Sequence, residues 1–152
     1  MKKILLSLMF VFGATFAANA QSSGDMFVGG SSNLGLTITP DFALNAAVTA
    51  DYFVMDGLSV GANVGLGIGA ATTITLAPKV SYFVTDEIFA MVNADVLAIA
   101  GGNTSVGLNA LNAGVGYWYS LSDNVVVAPM VNLNNVTNSL SIGAGMGITV
   151  KL

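Results

Sequence analysis

The sequence predicts an all-β protein, an eight-stranded antiparallel up-and-down transmembrane β-barrel, and three observations lead there. Apolar residues recur with period two: Phe42, Leu44, Ala46, Val48, Ala50, Tyr52 and Val54 alternate with Asn45, Thr49 and Asp51, so each strand has one oily face and one small, wet face. One turn form comes back along the chain, in Tyr52–Leu58, Tyr82–Ile88 and more loosely Tyr119–Val125, each with an Asp at the centre of its turn residues. Composition supplies the third: 54% of residues are hydrophobic and only 8% charged, whereas a soluble surface wants roughly a quarter to a third charged. In lipid every backbone polar group must be paired internally, so period-two strands cross a membrane only as a closed barrel.

Taken in order, residues 1–20 read as a cleaved signal peptide. Lys2 and Lys3 precede the apolar run Ile4 to Phe12, and Ala18-Asn19-Ala20 supplies the small residues of a cleavage site before Gln21. Residues 21–152 then form one barrel domain. The first strand runs from about Met26 to Ile38, and Thr39-Pro40-Asp41 turns the chain into the second, Phe42 to Val54. The third is Leu58 to Ile68. Gly69 to Thr72 lead into the fourth, Thr73 to Val84. Ile88 to Ala100 is rich enough in Ala, Met and Leu to read as a helix, yet its neighbours and the turn spacing require a strand. Gly101 to Ser105 form a loop, and the sixth strand ends at Leu121, with a bulge expected near Ala110, where the apolar phase slips. Val125 to Asn134 make the seventh, Asn135 to Asn138 turn, and Leu140 to Leu152 alternate cleanly to the end. Each Asp-centred turn suits a type I turn closed by a left-handed residue, a position for which Gly57 and Asn124 are suited and Glu87 less so. Pro78 and Pro129 lie within strands and each must forfeit a ladder bond, which points to local bulging.

The apolar faces carry no charge, so they are the outward, lipid-facing set, and Asp51, Lys79 and Asp95 fall on the inward one. Pairing about Asp86 sets Lys79 opposite Asn93 and diagonal to Asp95. A lumenal polar cluster of Asp51, Asn63, Lys79, Asn93 and Asp95 is expected, with Lys79 held by Asp95. Tyr52, Tyr82, Tyr117 and Tyr119 point outward just before the Asp-centred turns, an interfacial aromatic belt. Phe27, Phe53, Phe83, Phe89 and Trp118 belong to the inward set near the same end, as an apolar constriction of the lumen. Export leaves the N-terminus in the periplasm, so an even strand count puts these turns and the C-terminus on the periplasmic side.

On these features, namely the leader, the Tyr-rich short turns such as Tyr82 to Ile88 and the alternating strand Leu140 to Leu152, the chain resembles the small eight-stranded outer-membrane barrels of the OmpA transmembrane-domain and OmpX type. The resemblance implies residence in the cell outer membrane, contact with its lipids, a monomeric state, and dependence on periplasmic chaperones and the barrel-assembly machinery, which would read Leu140 to Leu152. The family's terminal strand usually closes on an aromatic residue, where this chain has Leu152.

Several classes are disfavoured. With only Lys79 and Lys151 basic after the leader, nothing can neutralise nucleic-acid phosphates. The absence of Cys removes a disulfide framework, and the absence of both His and Cys removes the usual proton-transfer and metal groups, so no catalytic, metal or cofactor residues are assigned. What remains is a structural envelope barrel with a narrow lumen or, alternatively, a narrow porin-like channel or a small-ligand or lipid-binding barrel lined by Gly61, Gly65, Gly67, Gly143, Gly145 and Gly147. A soluble β-sandwich would expose an aggregating face to water.

Overall fold

The structure, a computed structural model, describes residues 22–32, 44–68, 72–136 and 140–152. The proposed leader, the first strand beyond Ser32, the Thr39-Pro40-Asp41 turn, and parts of the Gly69–Thr72 and Asn135–Asn138 turns lie outside those residues. Nine strands are described: β1 Met26–Ser32, β2 Leu44–Met55, β3 Leu58–Ile68, β4 Thr73–Phe83, β5 Ile88–Ala100, β6 Asn103–Tyr117, β7 Tyr119–Ser120, β8 Val125–Asn134 and β9 Ser141–Lys151. All pair antiparallel in the order β6-β5-β4-β3-β2-β1-β9-β8-β7, and β6 also pairs with β8. The sheet thus closes into a ring. Because β6 and β7 both lie along β8 and are parted by Trp118 alone, they are two lengths of one wall strand, and the wall has eight.

Turn chemistry explains two departures from the sequence reading. Gly57 does take the left-handed conformation, with φ 74°, but Glu87 and Asn124 do not; Asn135 has the sole positive φ among the described non-glycine residues. Side-chain and backbone bonds hold those turns instead. Thr85 Oγ1 accepts from the backbone N–H groups of Glu87 and Ile88 at 3.3 and 3.0 Å, and Ser122 O accepts from Val125 N at 3.3 Å. The expected loop Gly101 to Ser105 shrinks to two residues: Asn103, Thr104 and Ser105 pair with Ala100, Ile99 and Ala98. Gly101 and Gly102, at φ 54° and 84°, reverse the chain by themselves, as a primed two-residue hairpin turn requires.

The bulge expected near Ala110 is present. Asp95 pairs with Ala110 and Leu97 with Val106, so Val96 faces Gly107, Leu108 and Asn109, and Gly107 bends the chain at φ 137°. A second bulge matches the local bulging expected at Pro78. Between the pairs Leu76–Leu97 and Lys79–Asn93, Ala77 and Pro78 stand against Ala94, Asp95 and Val96. This flips the phase of β5, so the adjacent apolar residues Val96 and Leu97 are both accommodated. The irregularity brackets Pro78, which has no N–H to give the ladder. Pro129 likewise falls opposite the interruption between β6 and β7, since Met130 pairs with Gly116 and Val127 with Tyr119.

The outer face is apolar all round, with Val48, Val64, Val80, Val92, Val115, Val131 and Ile148 exposed. The buried core sits inside the ring at the Asp-turn end and is built from Phe27, Phe53, Phe83, Phe89, Met91, Trp118, Val126 and Ala128. This inversion fixes what a charge would do on the wall. Val64→Lys is expected to lower the unfolding free energy in lipid vesicles by about 2–4 kcal/mol, the cost of a lysine at the bilayer midplane. A change below about 0.5 kcal/mol in the urea midpoint analysis would place that face in water.

Candidate functional site in the barrel interior

The interior is layered, and the layers follow from register. At the Asp-turn end the inward rings of β1, β2, β4 and β5 meet Trp118, whose strand breaks there so that its backbone N–H turns to Glu87 O. Trp118 packs edge-on against Phe27, Phe83 and Phe89 with centroids 5.2, 5.3 and 6.0 Å away. Phe53, 1% exposed, bridges Phe27 and Phe83 at 5.6 and 5.5 Å. Phe89 is paired directly with Gly116 and lies over it, where any Cβ would collide with the ring. The Trp118 contacts and Phe27–Phe53 have the favoured edge-to-face geometry of aromatic rings, while Phe53–Phe83 is tilted.

Above the rings stands the ion pair, and here the sequence reading needs correcting. Lys79 Nζ donates to Asp51 Oδ2 at 2.7 Å and to Thr49 Oγ1 at 3.0 Å, and it does not hold Asp95. Two features redirect it. Asp51 is opposite Gly61 and Gly61 opposite Lys79, so β3 offers no side chain to stop the lysine reaching two strands across to β2. The β5 bulge meanwhile begins immediately past Asn93 and carries Asp95 away. Asp95 hydrogen-bonds to the Asn112 side chain instead. Asn112 Nδ2 donates to Asn93 Oδ1 at 2.8 Å, and Asn112 Oδ1 accepts from Asn135 N at 2.9 Å.

The anticipated single cluster is therefore two. Asp51 and Lys79 join Thr49 low in the lumen, while Asn93 and Asp95 join Asn112 toward the other end. Asn63 is paired across from Thr49, yet its Oδ1 is buried with no hydrogen-bond partner, as is Asp51 Oδ1. Two cavities correspond to these levels. The lower, about 50 Å³, lies between the rings and the ion pair, and the upper, about 370 Å³, is lined by several asparagines among small residues. Asn63, Met91 and Met130 line both, so they form the floor of one and the roof of the other.

Sequence reasoning missed Thr49, Asn112 and a second ion pair. Lys151 Nζ donates to Asp25 Oδ2 at 2.6 Å, beside the β1–β9 seam where Phe27 pairs with Lys151. Continuing the inward set back two residues from Phe27 reaches Asp25, and that signal was available. Thr49 was equally legible, two positions before Asp51 on the same face. Of the four tyrosines, Tyr52, Tyr117 and Tyr119 are exposed on the outer face and Tyr82 is half-buried. Tyr117 Oη donates to the Glu87 carboxylate. Among the described residues no group of three or more His, Cys, Asp or Glu could hold a metal ion.

Comparison with solved structures follows the same geometry. The N-terminal β-barrel domain of Pseudomonas aeruginosa OprF superposes with a TM-score of 0.64 at 16% identity, covering 87% of this chain and all (100%) of that one. The fold is a transmembrane β-barrel. A designed transmembrane β-barrel matches with a TM-score of 0.54 at 20% identity over 87% of this chain and 98% of its own. A second design, solved by solution NMR, gives 0.52 at 16% identity over 87% and 97%. At these identities the barrel likeness is one of fold. No protein-family model matches the sequence, and no curated protein does either.

Proposed function

We propose that this protein is an integral outer-membrane β-barrel with a structural role in the envelope and a narrow lumen closed to the passage of solutes. The observation that carries the reading is the inversion of polarity around the wall: large aliphatic side chains exposed outside, and Asp51 and Lys79 inside at side-chain exposures of 6% and 10%. The five packed rings and the ion pair above them support closure of the Asp-turn end. An eight-stranded ring leaves width only for side chains or one small ligand.

The Asp-centred turns and the C-terminal end would face the periplasm, with Tyr52, Tyr82, Tyr117 and Tyr119 at that lipid boundary. Export by the 1–20 leader, insertion through the barrel-assembly machinery with periplasmic chaperones, and a monomeric state complete the proposal. A catalytic role has no support, because the chain lacks His and Cys. Planar-bilayer recording of refolded protein tests closure. Silence is the expected result, and stable unitary current steps would replace the structural reading with that of a narrow channel. Migration on a detergent gel that changes on boiling is expected alongside.

A further inference from the structure

We propose that the upper cavity binds a neutral polyhydroxylated solute of about monosaccharide size. Its volume of about 370 Å³ is within the range of small-molecule pockets, roughly 300–1,000 Å³. Its polar lining is dominated by carboxamides: Asn63, Asn93, Asn112, Asn132 and Asn134 contribute, together with Asp95, among small Ala, Gly and Thr residues. A primary amide offers both donors and an acceptor, so a ring of them complements hydroxyl groups, which also donate and accept. Among the described residues no basic side chain lines this cavity, because Lys79 is drawn down to Asp51. Phosphates and carboxylates would meet only the Asp95 charge, which repels them.

Two details point to a ligand rather than to a polar filling. The Asn93–Asn112–Asp95 network is braced from the backbone by Asn135 N, so Asn112 holds its neighbours in place while Asp95 keeps an acceptor face for a vicinal diol. Asn63 Oδ1 is buried at the wall with nothing to accept from. An unpaired buried acceptor costs free energy, and a turn of the Asn63 amide toward the cavity it lines would let a hydroxyl donor satisfy it. Met91 and Met130 supply the apolar floor on which the carbon face of a sugar ring packs.

The test is a titration of the refolded barrel in phosphocholine micelles, whose headgroup carries no sugar, followed by amide resonances. Glucose is expected to move the Gly65, Asn93, Asp95 and Asn132 signals saturably, and sodium phosphate and magnesium chloride are expected to leave them still. Asp95→Asn should weaken glucose binding about tenfold, the loss of one charge-assisted hydrogen bond. Asn63→Leu should weaken it similarly while leaving the strand spectrum intact, since the leucine replaces an oxygen that has no protein partner. Absence of saturable shifts with glucose, saturation by magnesium or phosphate, or undiminished binding in both variants would each overturn the site. The dispersed strand spectrum, recorded before any addition, tests the barrel itself.

Discussion

Replacing Lys79 with Met is expected to remove about 3–5 kcal/mol from the unfolding free energy, the cost of leaving one partner of a buried ion pair uncompensated. The argument rests on burial. Side-chain exposures of 10% for Lys79 and 6% for Asp51 place both groups out of water, and Asp51 Oδ1 already lacks a partner. Loss of the lysine leaves a carboxylate with only the Thr49 hydroxyl donating to it, at 3.3 Å. The double replacement Lys79→Met with Asp51→Leu should recover most of the loss, because a packed apolar pair is often no worse than an ionic one. Asp95→Asn should shift the same urea midpoint by less than about 1 kcal/mol, being hydrogen-bonded to Asn112 rather than charge-paired. Equal losses from Lys79→Met and Asp95→Asn would show that the lysine is shared between the two carboxylates.

Trp118→Ala is the second large effect, expected to cost about 3–5 kcal/mol, as large-to-small aromatic changes in cores do. Its indole touches Phe27, Phe83 and Phe89, so truncation opens a void at the centre of the rings rather than at their rim. The same variant should turn a silent bilayer trace into one with unitary steps. A variant that is destabilised yet silent would show that the ion pair alone closes the lumen. One that conducts no more than the parent and loses no stability would remove the rings from the account altogether.

The architecture was largely readable from the chain, because a wall with lipid on one side and a packed interior on the other imposes alternation on every strand. Leu58 to Ile68 and Val125 to Asn134 were bounded to the residue. Placement of the rings and tyrosines on opposite faces needed only that alternation. The partner of Lys79 was not readable, since cross-strand counting assumes an unbroken ladder and a side chain at every position. The β5 bulge breaks the first assumption and Gly61 the second. The doublet Val96-Leu97, two apolar residues in succession with Pro78 across from them, was the clue to the bulge. The Asn112 network was out of reach for a different reason. It links β5, β6 and the residue just past β8, and a backbone donor such as Asn135 N leaves no trace in residue type.

The Asp25–Lys151 bridge joins positions 126 residues apart, and Leu152 N reaches Met26 O beside it. Contacts of such long sequence separation carry the largest entropic penalty in assembly and form late. Until β9 arrives, β1 has an unzipped margin, and the half-built sheet presents two sticky rims at once. The barrel therefore has a vulnerable stage set by topology, during which zipping up competes with clumping, and the electrostatic clasp at the seam acts on the final step of that race.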